Sequence, residues 1–211
     1  MSIDITTEID LDSQLTLDSD ATAALFLDAR TANSWSDEEI SDETLQAVYA
    51  LTKMGPTAFN AQPLRITWVR SAEARERLAE HMMDGNKAKT LTAHMVAVLS
   101  FNTEWHSLLP TTAPHMADML MPMFEANAES RTTMGNNNAH VQAGYFILAA
   151  RAAGLAVGPM TGFNPAGVDA EFNADSTHKS FMVINLGKPA GQPSTHDRLH
   201  RLDFDLATVT L

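Results

Sequence analysis

Apolar positions recur at helical spacing in several stretches of the chain and at strand-like density in others. From Asp20 to Arg30 the pattern predicts a short helix with Leu25, Phe26 and Ala29 on one face. Ser41 reads as an N-cap followed by Asp42 and Glu43, where negative charge favours a helix start; Leu45, Val48, Tyr49 and Thr52 then carry helical spacing to Met54. Gly55 and Pro56 end it. Thr57 to Gln62 read as a tight polar loop, and Pro63 predicts an extended residue at Gln62. A first strand follows at Arg65 to Arg70, and Ser71 caps a second helix through Leu78 to Met82. Asp84 to Lys89 read as a polar loop and Met95 to Phe101 as an apolar strand. Asn102 to Met134, with Pro110, Pro114 and Pro122, reads either as a mobile flap or as an irregular packing element. The longest helix is expected at Ala139 to Ala153, apolar on most sides, so central or in an interface. Gly154 to Gly162 is punctuated by glycine, Asn164 and Pro165 open a further helix, and strands are expected at Phe181 to Leu186 and, shorter, at Ala207 to Leu211. Helices alternating with about four strands predict an α+β, three-layer arrangement.

Length and composition narrow this picture. The 211 residues, 45% hydrophobic, suit one domain from 19 to 211 behind an acidic extension from 1 to 18. A formal charge of −12 argues against nucleic acid or anionic membrane as partner, so an anionic ligand needs a few placed cations. The absence of cysteine excludes disulfides, thiolate chemistry and Cys-ligated metal, which fits a cytoplasmic protein. No apolar run approaches the roughly 20 residues that span a bilayer.

Two spacings invite chemistry that the rest of the chain does not support. Tyr49 and Lys53 have the Tyr-x-x-x-Lys spacing of short-chain dehydrogenases, but no Gly-x-Gly-x-x-Gly occurs. His196 and His200 suit a metal on a helix, but Pro193 interrupts the segment and no third ligand is in sequence, so no metal is expected. Four polar clusters remain: Arg30 to Asn33, Pro56 to Gln62, Asn86 to Lys89, and Thr161-Gly162 with Arg198. One ligand, flavin mononucleotide (FMN), would use all of them. It needs cations on its phosphate, amides on its pyrimidine edge, a positive charge near N1 and C2, and a main-chain N–H at N5.

With these clusters the chain resembles the FMN-dependent nitroreductase family from Leu25 to Leu211. Ala29-Arg-Thr-Ala-Asn-Ser-Trp35 stands in place of the family's Arg-Arg-Ser-x-Arg-x-Phe, and Pro56-Thr-Ala-Phe-Asn-Ala-Gln-Pro-Leu64 in place of Pro-Ser-Ser-x-Asn-x-Gln-Pro-Trp. Asp28-Ala-Arg-Thr, Ser41-Asp-Glu-Thr-Leu, Gly55-Pro-Thr, Lys89-Thr-Leu-Thr-Ala and Gly158-Pro-Met-Thr-Gly-Phe163 are similar to the malonic semialdehyde reductases within it. The resemblance implies a three-layer α/β/α sandwich around a mainly antiparallel sheet, in an interlocked homodimer with FMN at the subunit interface. It places Arg30 and Arg198 on the phosphate with Thr31 beside them, Asn86 on the pyrimidine edge, Lys89 near N1, and Thr161 and Gly162 along the ring, the Gly162 N–H at N5. Pro56, Thr57, Ala58, Asn60 and Gln62 would come from the other subunit. Asn33 and His196 stand where other members carry cations, and Ala29 replaces an arginine. The implied activity is ping-pong hydride transfer from NADPH or NADH to malonic semialdehyde, giving 3-hydroxypropionate. The alternatives are a nitroaromatic, quinone or enone acceptor, or flavin binding without catalysis.

Overall fold

The computed structural model describes residues 10–190 and 198–211. Its frame is a four-stranded sheet of β1 (Leu64–Val69), β2 (Met95–Asn102), β3 (Ala156–Met160) and β4 (His178–Gly187), in the order β1-β2-β4-β3 with every pair antiparallel. Alternation along β2 assigns the two faces. Met95, Ala97 and Leu99 join one apolar cluster, and Val96 and Val98 join the other. The first cluster is closed by α1 (Asp42–Thr52), through Leu45 and Val48, and by the long helix α5 (Ala128–Ala152), through Ala143, Phe146 and Ala150. The second is closed by Leu78 of α2 (Ala72–Glu80) and Val168 of α6 (Pro165–Phe172). Helices therefore cover both faces, which is the three-layer arrangement expected.

Local capping explains where these helices begin. Ser41 Oγ accepts from the Thr44 N–H at 3.2 Å, Ser71 Oγ from Ala74 at 3.1 Å, and Asn164 Oδ1 from Gly167 at 3.3 Å. Four expectations need correction. The segment from Asp84 is not a loop but the start of α3 (Asp84–Thr92), so Asn86 and Lys89 share a helical face one turn apart. The long helix begins eleven residues before Ala139, because Asn127 Oδ1 caps the Ser130 N–H at 2.9 Å and Glu129 lies in the first turn. The fourth strand is not Ala207 to Leu211, where a one-turn helix Phe204–Ala207 is followed by unpaired chain. It is β3, in the glycine-punctuated segment; as an edge strand it tolerates Pro159, which has no N–H to pair.

The fourth correction concerns the loop before β1. Gln62 is not extended but has φ +43°, and Phe59 and Asn60 have φ +55° and +52°. The local bias of the residue before proline is overridden by one bond within the loop and one from α5. The Gln62 N–H donates to Thr57 Oγ1 (3.2 Å), and Gln142 of α5 accepts the first N–H of β1, that of Leu64, at 2.9 Å.

The segment after β2 is a packing element. It contains a 3-10 turn, Trp105–Leu108, a one-turn helix, Leu109–Thr112, and α4 (Ala117–Glu125). Trp105, Leu109, Leu120 and Phe124 form a third apolar cluster with Ala61 of the loop. Gly135 of α5 is where Trp105 lies closest; a Cβ there would sit 2.8 Å from its ring. Among the described residues no helix is long and apolar enough to cross a membrane.

Candidate functional site

Three of the four polar clusters meet at the two ends of β3. Thr31 bridges Val157 in parallel pairing, and the Ala32 N–H donates to the Val157 carbonyl at 3.0 Å. Arg30, just before this contact, donates from Nη1 to the carbonyls of Leu27 (2.9 Å) and Ala29 (3.0 Å) at the end of the π-helical turn Ala23–Leu27. Arg198 returns from the C-terminal segment to the same carbonyls, with Nη2 bonded to those of Phe26 (3.1 Å), Leu27 and Ala29. Arg30 and Arg198, 168 positions apart in the numbering, are thereby brought together. Half-buried Asn33 follows on the same segment, and His196 lies outside the described residues.

Burial holds the Arg198 guanidinium below its ordinary pKa, and the neighbouring charges of Arg30, Arg201 and Arg151 add to the shift, with Asp28 opposing. Arg151, in the last turn of α5, is the member the sequence pattern did not single out. Its Nη1 donates to the Leu25 carbonyl at 2.8 Å. Four guanidiniums crowd a surface of a chain with net charge −12, and a phosphate dianion is the kind of group that relieves such repulsion.

At the other end of β3, Gly162 is held from two directions. Its carbonyl accepts from the Met83 N–H (3.0 Å) and from Asn86 Nδ2 (2.8 Å), while the Asn164 N–H donates to the His81 carbonyl (2.8 Å). A Cβ on Gly162 would fall 2.7 Å from Asn86 Nδ2 and 3.2 Å from Met83 Sδ. Thr161 beside it is exposed, and Lys89 is half-buried on α3. Asn86 and Gly162 are thus directly bonded, in a packing that a Cβ at residue 162 would disturb.

The remaining cluster, Pro56 to Gln62, leads into β1, at the opposite edge of the sheet from β3. Three strand spacings separate the two edges, about 14 Å. The loop's polar groups are turned to the rest of its own chain. Tyr145 Oη donates to the Pro56 carbonyl (3.1 Å), and the Ala58 N–H donates to Asn138 Oδ1 (2.8 Å). Asn60 Nδ2 donates to the Thr112 carbonyl (2.6 Å) and Gln62 Nε2 to Asn60 Oδ1 (3.0 Å). Gly55 makes space for the Tyr145 ring, 2.1 Å from where a Cβ would stand. The sequence reading missed Asn138 and Tyr145 as anchors, because it began the long helix too late for the first and assigned the second to packing.

Beside the loop is a cavity of about 440 Å³ lined by Tyr49, Gln62, Arg65, Trp68, Thr112 and Gln142. Burial lowers the pKa of Arg65 and Tyr49 opposes the shift. Among the described residues the Arg65 guanidinium is in no ion pair and donates only to the carbonyls of Gln62 (3.0 Å) and Leu64 (2.7 Å). Glu104, His106 and Glu125 bring potential metal-ligand atoms within 4.8 Å of one another, but the Arg131 guanidinium lies among them, 3.0 Å from Glu104 Oε1 and 3.6 Å from Glu125 Oε2. The group is an ion-pair cluster.

A model of the nitroreductase family matches residues 29–188. A protein of Streptomyces griseus named NADH dehydrogenase/NAD(P)H nitroreductase is 48% identical over 197 residues, covering 93% of this chain and 99% of its own. In fold, the chain is similar to an NAD(P)H:FMN oxidoreductase of Staphylococcus epidermidis, with TM-score 0.80, 20% identity and coverage of 93% and 98%. A nitroreductase solved in complex with FMN, from Exiguobacterium sibiricum, gives 0.78, 17% identity and coverage of 92% and 98%.

Proposed function

The chain belongs to the nitroreductase family, and from that premise we propose that it is an NAD(P)H-dependent flavin oxidoreductase whose acceptor is a small anionic aldehyde, malonic semialdehyde, reduced to 3-hydroxypropionate. FMN, when bound, supplies the two-electron relay between nicotinamide and acceptor, so no side chain needs to form a covalent bond. Arg30 and Arg198 would hold its phosphate, with Thr31 and Asn33 beside Arg30 in the chain and Arg151 as a further cation; His196, the remaining candidate, lies outside the described residues. Asn86, whose Nδ2 donates to the Gly162 carbonyl, would offer the rest of its amide to the pyrimidine edge. Lys89 would supply positive charge toward the N1 side, Thr161 a hydroxyl along the ring, and Gly162 a main-chain N–H for N5.

Pro56, Thr57, Ala58, Asn60 and Gln62 complete the site from a second copy. The separation of the two residue sets at opposite edges of one sheet supports that homodimeric reading.

The observation that carries the acceptor class is Arg65, a half-buried guanidinium without a carboxylate partner among the described residues, facing a cavity next to the loop. In an amide-lined, partly apolar cavity a bidentate carboxylate is its natural complement. The aldehyde carbon gains a hydride and its oxygen a proton, and the nicotinamide is oxidised. Water serves as the proton source.

An anaerobic absorbance spectrum of the protein with FMN tests this, taken before and after NADPH or NADH and again after malonic semialdehyde. Bleaching of the flavin band followed by recovery on the aldehyde is expected. Recovery only on a nitroaromatic or quinone would transfer the assignment to the activity named for the Streptomyces griseus relative.

A further inference from the structure

His106 is 3% exposed and held between three charged residues from three elements: Glu104 before the 3-10 turn, Glu125 at the end of α4, and Arg131 in the first turns of α5. Its Nε2 lies 2.6 Å from Glu125 Oε2; an ionised carboxylate only accepts, so the imidazole N–H donates. Nδ1 is buried without a hydrogen bond and lies 3.8 Å from Glu104 Oε2. Arg131 closes the group, bonded to Glu104 Oε1 (3.0 Å) and to the Phe124 carbonyl (3.3 Å).

This clasp encloses the aromatic stack behind the loop. The Trp105 N–H donates to the Arg131 carbonyl (2.9 Å), its ring meets Phe124 edge-on at 4.7 Å, and Phe124 lies 6.2 Å from Phe59. Phe59, Asn60 and Gln62 are the non-glycine residues with positive φ among the described residues. Such backbone is strained in a residue with a Cβ and persists only where its surroundings over-determine it. Here the surroundings are the Thr112 carbonyl on Asn60, Asn138 on the Ala58 N–H and Phe124 against Phe59. The first and third of these belong to the segments that the clasp ties to α5.

We propose that His106 is a positioning residue, which, through Glu125, Glu104 and Arg131, holds the 57–62 loop in the left-handed shape it presents to the flavin. The proposal rests on the reading above that this loop reaches the flavin. His106 itself touches neither cofactor nor acceptor.

The test is the dissociation constant of FMN, by quenching of flavin fluorescence well below the melting temperature, for the full-length wild type, His106→Leu and His106→Gln. Leucine fills the space without a donor; glutamine keeps an N–H for Glu125. Release of one strained residue corresponds to about tenfold weaker binding for His106→Leu, with His106→Gln close to wild type. A lower melting temperature with unchanged FMN affinity for His106→Leu would reduce His106 to a structural residue and overturn the proposal. If His106→Leu does not fold, Glu125→Ala decides, since it removes the acceptor altogether. That side chain is 72% exposed, so the change leaves packing intact. Weaker FMN binding supports the clasp, and unchanged binding overturns it. A wild type that binds no FMN at all defeats the functional reading itself, and the clasp proposal with it.

Discussion

Arg198 is the residue whose role depends most on the chain's return path. It makes its bonds to carbonyls more than 160 positions earlier and crowds Arg30 at the same place. Replacement by Ala removes a cation from the arginine cluster proposed to hold the phosphate and leaves the Leu27 carbonyl bonded by Arg30. Flavin retained through purification is therefore expected to fall sharply in Arg198→Ala, as read by the ratio of flavin to protein absorbance, while the melting temperature of the apoprotein changes little. Unchanged occupancy would remove Arg198 from the site. Arg30, Thr31, Asn86, Lys89 and Gly162 were legible as candidates because cations, amides and a glycine in clusters have few structural uses. Arg151 was not, since a basic residue in the last turn of a helix is what the helix dipole favours with or without a ligand.

At the scale of elements, α5 and the segment after β2 stand or fall together. Alanine at position 135 would gain helix propensity, but its Cβ would fall 2.8 Å from the Trp105 ring, whose N–H is bonded to Arg131. Overpacking of this kind costs about 1–3 kcal/mol, so Gly135→Ala is expected to melt several degrees below wild type; an unchanged or raised melting temperature would show that the third cluster yields. The clasp adds a pH dependence. The hydrogen bond from His106 holds the Glu125 carboxyl below its ordinary 4.5, burial opposes, and the charges of His106 and Arg131 add to the lowering. A carboxyl lowered in the folded state stabilises it fully above the unfolded value and loses that contribution as pH falls through the folded value. Thermal melting followed downward from pH 5 should therefore decline more steeply in wild type than in Glu125→Gln; parallel curves would mean that the bond does not survive in solution. Helices capped by Ser41, Ser71 and Asn164 were readable because the cap lies within three residues of its target. The start of α5 at Asn127 uses the same signal, but the Asn-rich run from 136 to 138 masked it, since asparagine is as common in turns as on an exposed helix face.

For the whole molecule, the C-terminal segment is the open question in the single chain. Leu202, Phe204, Leu206 and Val209 are each exposed by 70% or more, a density of apolar surface that a partner normally covers. With the loop at one edge of the sheet and the proposed phosphate cations near the other, a second copy would both bury this arm and complete the proposed site. A chain ended after Arg201 is expected to sediment as a monomer and to bind FMN weakly, against a flavin-bound dimer for the full chain. A truncated chain that stays dimeric would place the interface elsewhere. The sequence by itself determined the α+β class, the strands at β1, β2 and β4, and the polar clusters, because each rests on periodicity, capping or composition within a short window. Only the tertiary structure decided that the fourth strand is the glycine-punctuated segment, which becomes a strand by pairing with β4. It also decided that Arg30 and Arg198 share carbonyls and that Gln62 is left-handed before a proline. In each case the deciding bonds join residues that no local window contains; around Gln62 they come from α5 and the segment after β2 and outweigh the local preference.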